Sequence, residues 1–246
     1  MPNEAAGAPR WIEVSPERLV TWLDEFARRH GETAVETGPA VVTFRAADGA
    51  TAECHVPFPP LRAGAAAGTP GGPRQQGSGG GSAGAVAQWA EGIREHALAP
   101  RNVGVLLVRL GGYAAGVFTG PGARLETSKV GSRLVHGRSA AGGQSQQRFA
   151  RRREKQAAEA LGAAADTAAA VFGQFTGKLD AVVLGGDRQA ITSIRDDPRL
   201  RPYFRLAVDR FLTVPDPKLS VLRGTPRQFQ AVRIHLSEPS TAADGA

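Results

Sequence analysis

Arg138-Ser-Ala-Ala-Gly-Gly-Gln-Ser-Gln-Gln-Arg148-Phe-Ala-Arg-Arg-Arg153-Glu154 is the stretch from which the rest of the chain can be read. Its first half has no hydrophobic period for a helix or strand to use, and Gly142 and Gly143 let the backbone take positive φ and approach another molecule with no Cβ between them. Gln144 follows. Its neutral amide offers two donors and one acceptor, so it can orient a water and a carbonyl together without being a strong base. From Gln146 the residues are helix formers, and the first two turns carry Arg148, Arg151, Arg152, Arg153 and Lys155. Arginines at a helix start oppose the macrodipole at about a few tenths of a kcal/mol each. A purely structural helix gains nothing from that arrangement, whereas one that meets phosphates does.

The charge pattern agrees. The chain carries 30 Lys and Arg against 23 Asp and Glu, a net charge of +7. Between Glu126 and Glu154 there is no acid at all, while Lys129, Arg133, Arg138, Arg148, Arg151, Arg152 and Arg153 contribute seven positive charges. A solvated helix face interleaves signs, and a block of one sign is the footprint of a polyanionic partner.

Three apolar strand segments within 102–135 precede the loop, and Leu179-Asp-Ala-Val-Val-Leu-Gly-Gly186 follows the helix. With the Gly-Gly-Gln tip joined to Ser-Gln-Gln-Arg-Phe-Ala-Arg-Arg-Arg, this order resembles the central domain of eukaryotic-type release factors. Most closely it resembles the actinobacterial branch of the Vms-like release factors, peptidyl-tRNA hydrolases linked to ribosome quality control. The resemblance covers roughly residues 86–236. It implies that Gln144 orients a water at the ester of peptidyl-tRNA, that Gly142 and Gly143 allow the fit, and that the basic residues hold large-subunit rRNA or the tRNA acceptor stem. Those basic residues are Lys129, Arg133, Arg138, Arg148, Arg151, Arg152, Arg153 and Lys155. His136 is the one near-neutral titratable group beside the loop and reads as loop or phosphate support.

Eukaryotic Vms-like proteins have Gly-Ser-Gln at this tip and add zinc-finger and ankyrin segments. With Cys54 as the single cysteine, a thiolate zinc finger is impossible here. No segment resembles a codon-reading domain, so stop-codon specificity is not implied. Two other readings of the same residues stay open. One is a non-catalytic ribosome- or tRNA-binding protein that uses Gly-Gly-Gln as a hinge. The other is a tRNA-cleaving factor, which needs a metal or a base that no Asp/Glu cluster near the loop supplies.

Outward from the loop, Val103-Gly-Val-Leu-Leu-Val108 is a strand apolar on both faces. Tyr113–Thr119 and Arg124–Val135 continue it as an antiparallel meander through the Gly120-Pro-Gly122 turn. The glycines of 111–116 match no dinucleotide or P-loop spacing and read as hairpin glycines. Leu161, Ala165, Ala168, Phe172 and Phe175 form the apolar seam of the long helix. Leu179–Leu184 and Leu206–Val214 read as strands, Asp187–Ile194 and Pro215–Arg223 as helices, and Gln230–Leu236 as an edge strand. Asp187 occupies the start of its helix, which argues against a phosphate cradle there.

Nearer the N-terminus, Ser15-Pro16-Glu17 opens an amphipathic helix with Leu19, Trp22, Leu23 and Phe26 on one face, stopped by Gly31. Val35–Arg45 and Ala50–Pro57 form a hairpin about Ala46-Ala-Asp-Gly49. Residues 63–84 are Gly, Ala, Ser, Pro and Gln with one threonine and one charge, a composition too poor in apolar surface to order. Ala85–Ala97 is a further helix that Pro100 ends.

The expected fold class is mixed α+β, with a release-factor-like mixed sheet and flanking helices, a small N-terminal α+β element and a disordered Gly/Ala/Pro-rich insert. The expected division is 1–62 for the N-terminal helix and hairpin, 63–84 for the linker, 85–236 for the catalytic domain and 237–246 for a disordered tail. No metal or other cofactor is expected. No apolar run reaches the length of a membrane span and no signal peptide is evident. The chain reads as a cytoplasmic monomer whose partners are the ribosome and peptidyl-tRNA.

Overall fold

The computed structural model of the chain describes residues 8–62, 83–109, 111–132 and 145–239; of residues 83 and 145–153 it describes the backbone alone. The expected insert over 63–84, apart from its last two residues, and the tail beyond 239 therefore lie outside the described residues.

In chain order the elements are β1 (Arg10–Val14), α1 (Pro16–His30), β2 (Thr33–Thr37), β3 (Val41–Ala46), β4 (Thr51–His55), α2 (Ala83–Leu98), β5 (Val103–Arg109), β6 (Gly112–Thr119), β7 (Arg124–Ser132), α3 (Ser145–Gly173), β8 (Ala181–Gly186), α4 (Arg188–Ile194), α5 (Arg201–Phe204), β9 (Ala207–Leu212), α6 (Leu219–Phe229) and β10 (Val232–Ser237). They form two compact units, one from residues 1–99 with 230–246 and one from 100–229. The mixed α+β class is as expected. The division is not the one drawn from sequence: α2 and β10, assigned there to the domain over 85–236, belong to the first unit.

The first unit is an antiparallel sheet in the order β1-β10-β4-β3-β2. Its inner face, with Val42, Phe44, Ala52, Cys54, Val232, Ile234 and Leu236, packs with Leu19, Leu23 and Phe26 of α1 and with Val86, Ala90 and Ile93 of α2. By the alternation of apolar and polar residues along it, β10 reads as an edge. The alternation instead marks a central strand with one covered face, since β1 and β4 pair on either side of it. Strand β1 escaped notice because five residues are too few to show a period; its Trp11 lies beneath the Arg233 guanidinium at 4.5 Å and beside the His235 ring at 4.9 Å. The single strand expected over 35–45 is two, β2 and β3, paired through a turn in which the Gly38 N–H donates to the Val41 carbonyl at 2.8 Å.

Polar groups pin the loops of this unit. Asp48 Oδ1 accepts from the Ala50 N–H at 2.9 Å, and Oδ2 meets His30 Nδ1 at 2.8 Å. The Ala50 N–H, and after it His30, hold the Asp48 carboxyl below the usual range. Buried His96 accepts from the Arg62 N–H through Nδ1 at 3.2 Å and faces the Pro57 carbonyl through Nε2 at 3.0 Å, so it fastens the segment between β4 and the insert. Cys54 is fully buried, and burial pushes its thiol pKa up.

The second unit is a mixed sheet in the order β7-β6-β5-β8-β9, with β7, β6 and β5 an antiparallel meander and β5, β8 and β9 parallel. The meander is the one read from sequence, with Gly111, Gly120 and Gly122 taking φ of 105°, 68° and 76° in its turns. Strand β5 is buried from Val103 to Val108, as its continuous apolar run requires. One face of the sheet, with Leu106, Val108, Ala115, Val117 and Val182, is covered by Ala164, Ala165, Ala168, Val171 and Phe172 of α3 and by Ala190, Ile191 and Ile194 of α4. On the other face a Cβ at Gly116 would come within 2.9 Å of Leu222 of α6, and Phe118 meets Phe229 edge-on at 5.7 Å. Asn102 sets the parallel register: its N–H donates to Asp180 Oδ2 at 2.7 Å, its carbonyl accepts from the Asp180 N–H at 2.9 Å, and Val103 then pairs with Ala181.

Candidate functional site

The loop read as the working tip is the connection between β7, which ends at Ser132, and α3, which begins at Ser145. Gly142, Gly143 and Gln144 immediately precede the first helical residue, and together with Arg133, His136 and Arg138 they lie outside the described residues. The elements on either side of it are fixed by pairing and packing. Strand β7 is paired to β6 along its length, and the far half of α3 is fixed by the buried Ala164, Ala165, Ala168, Val171 and Phe172. Leu161 and Phe175 extend this seam as half-buried members, so all five seam residues named from sequence pack as expected.

Arg148, Arg151, Arg152 and Arg153 sit in the first turns of α3, where 148 and 152, and likewise 151 and 155, are one turn apart. Their backbone is helical. Lys155 is exposed one turn further on. Lys129 is exposed on β7 and pairs with Ala115, whose side chain faces α3; opposed residues share a face, so Lys129 stands on the α3 side of the sheet. Lys129 and α3 thus lie on the same side of the sheet, near the two ends of the 133–144 connection. The far half of α3 carries acid instead, with Asp166 paired to Arg199 at 2.7 Å.

A feature that sequence reading missed lies at the carboxyl ends of β5 and β8. There a cavity of about 260 Å³ is lined by Val108, Arg109, Gly111, Tyr113, Ala157, Ala160, Leu161, Asp187, Gln189, Ala190 and Ser193. Gly186 has φ 99°, and a Cβ on it would stand 2.2 Å from the Val108 carbonyl oxygen, so only glycine lets β8 bend this closely over β5. The Asp187 N–H then donates to that same carbonyl at 2.7 Å, while Asp187 Oδ1 caps α4 by accepting from the N–H groups of Gln189 and Ala190 at 2.8 and 3.3 Å. The Gly-Gly-Asp signal was visible in sequence; the cavity it borders depends on α3 crossing above, which was not.

Among the described residues, no group of His, Cys, Asp and Glu is arranged to hold a metal ion, and no helix is long and apolar enough to cross a membrane.

The family model for the Actinobacteria/chloroflexi VLRF1 release factor matches residues 101–235, more than half of the chain, and the chain belongs to that family. Among solved structures, the archaeal translation termination factor aRF1 is similar with 16% identity and a TM-score of 0.37, over 52% of this chain and 36% of that one. The Vms1 mitochondrial localization core is similar with 10% identity and a TM-score of 0.36, over 89% of this chain and 82% of that one. The chain thus spans little more than a third of the archaeal factor's length. No curated protein matches it.

Proposed function

We propose that the chain is a peptidyl-tRNA hydrolase that acts on the ribosome and releases nascent chains from stalled complexes through Gly142, Gly143 and Gln144. The observation that carries this reading is the family match across 101–235, which brackets a Gly-Gly-Gln sequence abutting the first residue of α3. The ester of peptidyl-tRNA is already activated, with a ribose 2′-hydroxyl beside the reacting oxygen. The protein's task is then to position water and to hydrogen-bond developing charge, which needs neither a carboxylate base nor a covalent nucleophile. Gln144, through its amide and its backbone N–H, orients the water. Gly142 and Gly143 let the backbone close on the ester.

In this reading Lys129, Arg133, Arg138, Arg148, Arg151, Arg152, Arg153 and Lys155 grip phosphates of large-subunit rRNA or the tRNA acceptor stem, and the protein works as a cytoplasmic monomer. The electrostatic part has its own test. Changing Arg151, Arg152 and Arg153 to Glu is expected to weaken ribosome association and to flatten its salt dependence, each lost phosphate contact removing about 0.7–0.9 from the slope of log K against log salt. Sedimentation binding across a salt series measures the slope. An unchanged slope would reduce the run to a solvated helix face.

A further inference from the structure

We propose that the cavity at the carboxyl ends of β5 and β8 is a pocket for a single unstacked RNA base, selecting one whose Watson–Crick edge bears an amino group, with guanine the best fit. The proposal rests on the reading of the α3 basic turns as an RNA contact.

Topology places the pocket. β5 and β8 are parallel neighbours, with Val103 to Val108 paired to Ala181 to Gly186. From β5 the chain turns away to β6 and β7, and from β8 it leaves through α4 to β9 on the opposite side. The crevice outside two such carboxyl ends is where open α/β sheets bind ligands. At about 260 Å³ it falls just below the range of about 300–1,000 Å³ for drug-sized ligands, which suits a base and not a whole nucleotide.

The lining suits a flat, polar-edged ring. Ala157, Ala160, Leu161 and Ala190 give an apolar wall, and Tyr113 carries a planar ring of the kind on which bases stack. That ring is held: a Cβ at Gly131 would lie 2.3 Å from it, so glycine on β7 is what allows the ring its place. The polar members are Asp187, Gln189 and Ser193. Asp187 Oδ1 is used by the α4 cap, whereas Oδ2 has no partner among the described residues. A carboxylate accepts and does not donate, so it repels phosphate and favours the N–H groups of guanine, or the amino group of adenine or cytosine, over uracil. Continuity with the basic turns points to RNA as the source. Ala157 and Ala160 lie four and seven residues after position 153, on the same face of α3, so a strand held by phosphates at that position passes the mouth of the pocket.

The test is titration of the ¹⁵N-labelled full chain with guanosine, adenosine, cytidine and uridine at equal concentrations. Guanosine is expected to shift the amides of Gly111, Ala157, Ala160 and Ala190 saturably, and to bind about tenfold more tightly than uridine. Asp187→Asn keeps an equally good cap and is expected to erase the preference; Gly131→Ala, which displaces Tyr113, is expected to weaken every nucleoside. No saturable shift with any nucleoside, equal binding of guanosine and uridine, or shifts produced by N-acetylphenylalanine amide alone would each overturn the proposal. Failure here is separable from failure of the function: guanosine binding with an unchanged salt slope in the triple arginine variant keeps the pocket and removes the helix contact, and the converse result removes the pocket alone.

Discussion

Replacing Gln144 with alanine is expected to slow peptide release by about 10²–10³-fold, the common worth of one donor that acts at the transition state. Ribosome association should change little, because the basic residues of α3 remain. Folding should also be intact. Residue 144 precedes α3, whereas the buried seam that fixes the helix begins around Leu161 and continues through Ala164, Ala165, Ala168 and Phe172. The separation of rate from binding is the informative part. A hinge in an RNA-binding protein would lose neither when Gln144 is truncated, and a destabilised variant would lose both. Single-turnover release under saturating protein, measured with pelleting of the same complexes, gives the two quantities together; a wild-type rate for the variant would remove Gln144 from the chemistry.

Phe172→Ala is expected to cost about 3–5 kcal/mol, the range for emptying a buried aromatic site. Phe172 is 1% exposed, meets Tyr203 edge-on at 5.3 Å, and fills the space beside Gly104, where a Cβ would stand 3.1 Å from its Cε1. Glycine on β5 and a phenyl ring on α3 are thus matched, and neither neighbour can close the void that alanine leaves. The melting transition of the second unit should fall by about 10–20 °C. Release should fall as well, since the helix that follows Gln144 loses a large buried anchor. Thermal denaturation followed by near-ultraviolet circular dichroism reads the first effect, and a shift of only a few degrees would mean that the seam is not what fixes α3.

Much of the second unit was legible because its signals are local. The apolar run from Val103 to Val108, the turn glycines between 111 and 122, and the four-and-three spacing from Leu161 to Phe175 each declare an element by composition and period. The first unit was legible in its helix and one hairpin but not in its outline. The pairing of β10 with β1 and β4 joins residues more than 170 positions apart, as with Arg233 and His55, and no local pattern records such a partner. Its alternation correctly implied one buried face and wrongly suggested an edge. At the site, the basic turns and the Gly-Gly-Gln tripeptide are sequence features outright. The cavity is not, because Tyr113, Ala157, Ala160 and Asp187 come together only once α3 crosses the sheet over the ends of β5 and β8.

The central claim is ester hydrolysis on the ribosome, and purified stalled ribosomes that carry a labelled peptidyl-tRNA test it most directly. Incubated with the wild-type chain and resolved on a denaturing gel, the complexes are predicted to yield free peptide together with tRNA that keeps its 3′ adenosine. Peptide that stays joined to intact tRNA, or that leaves still attached to a 3′ fragment of it, would contradict the account.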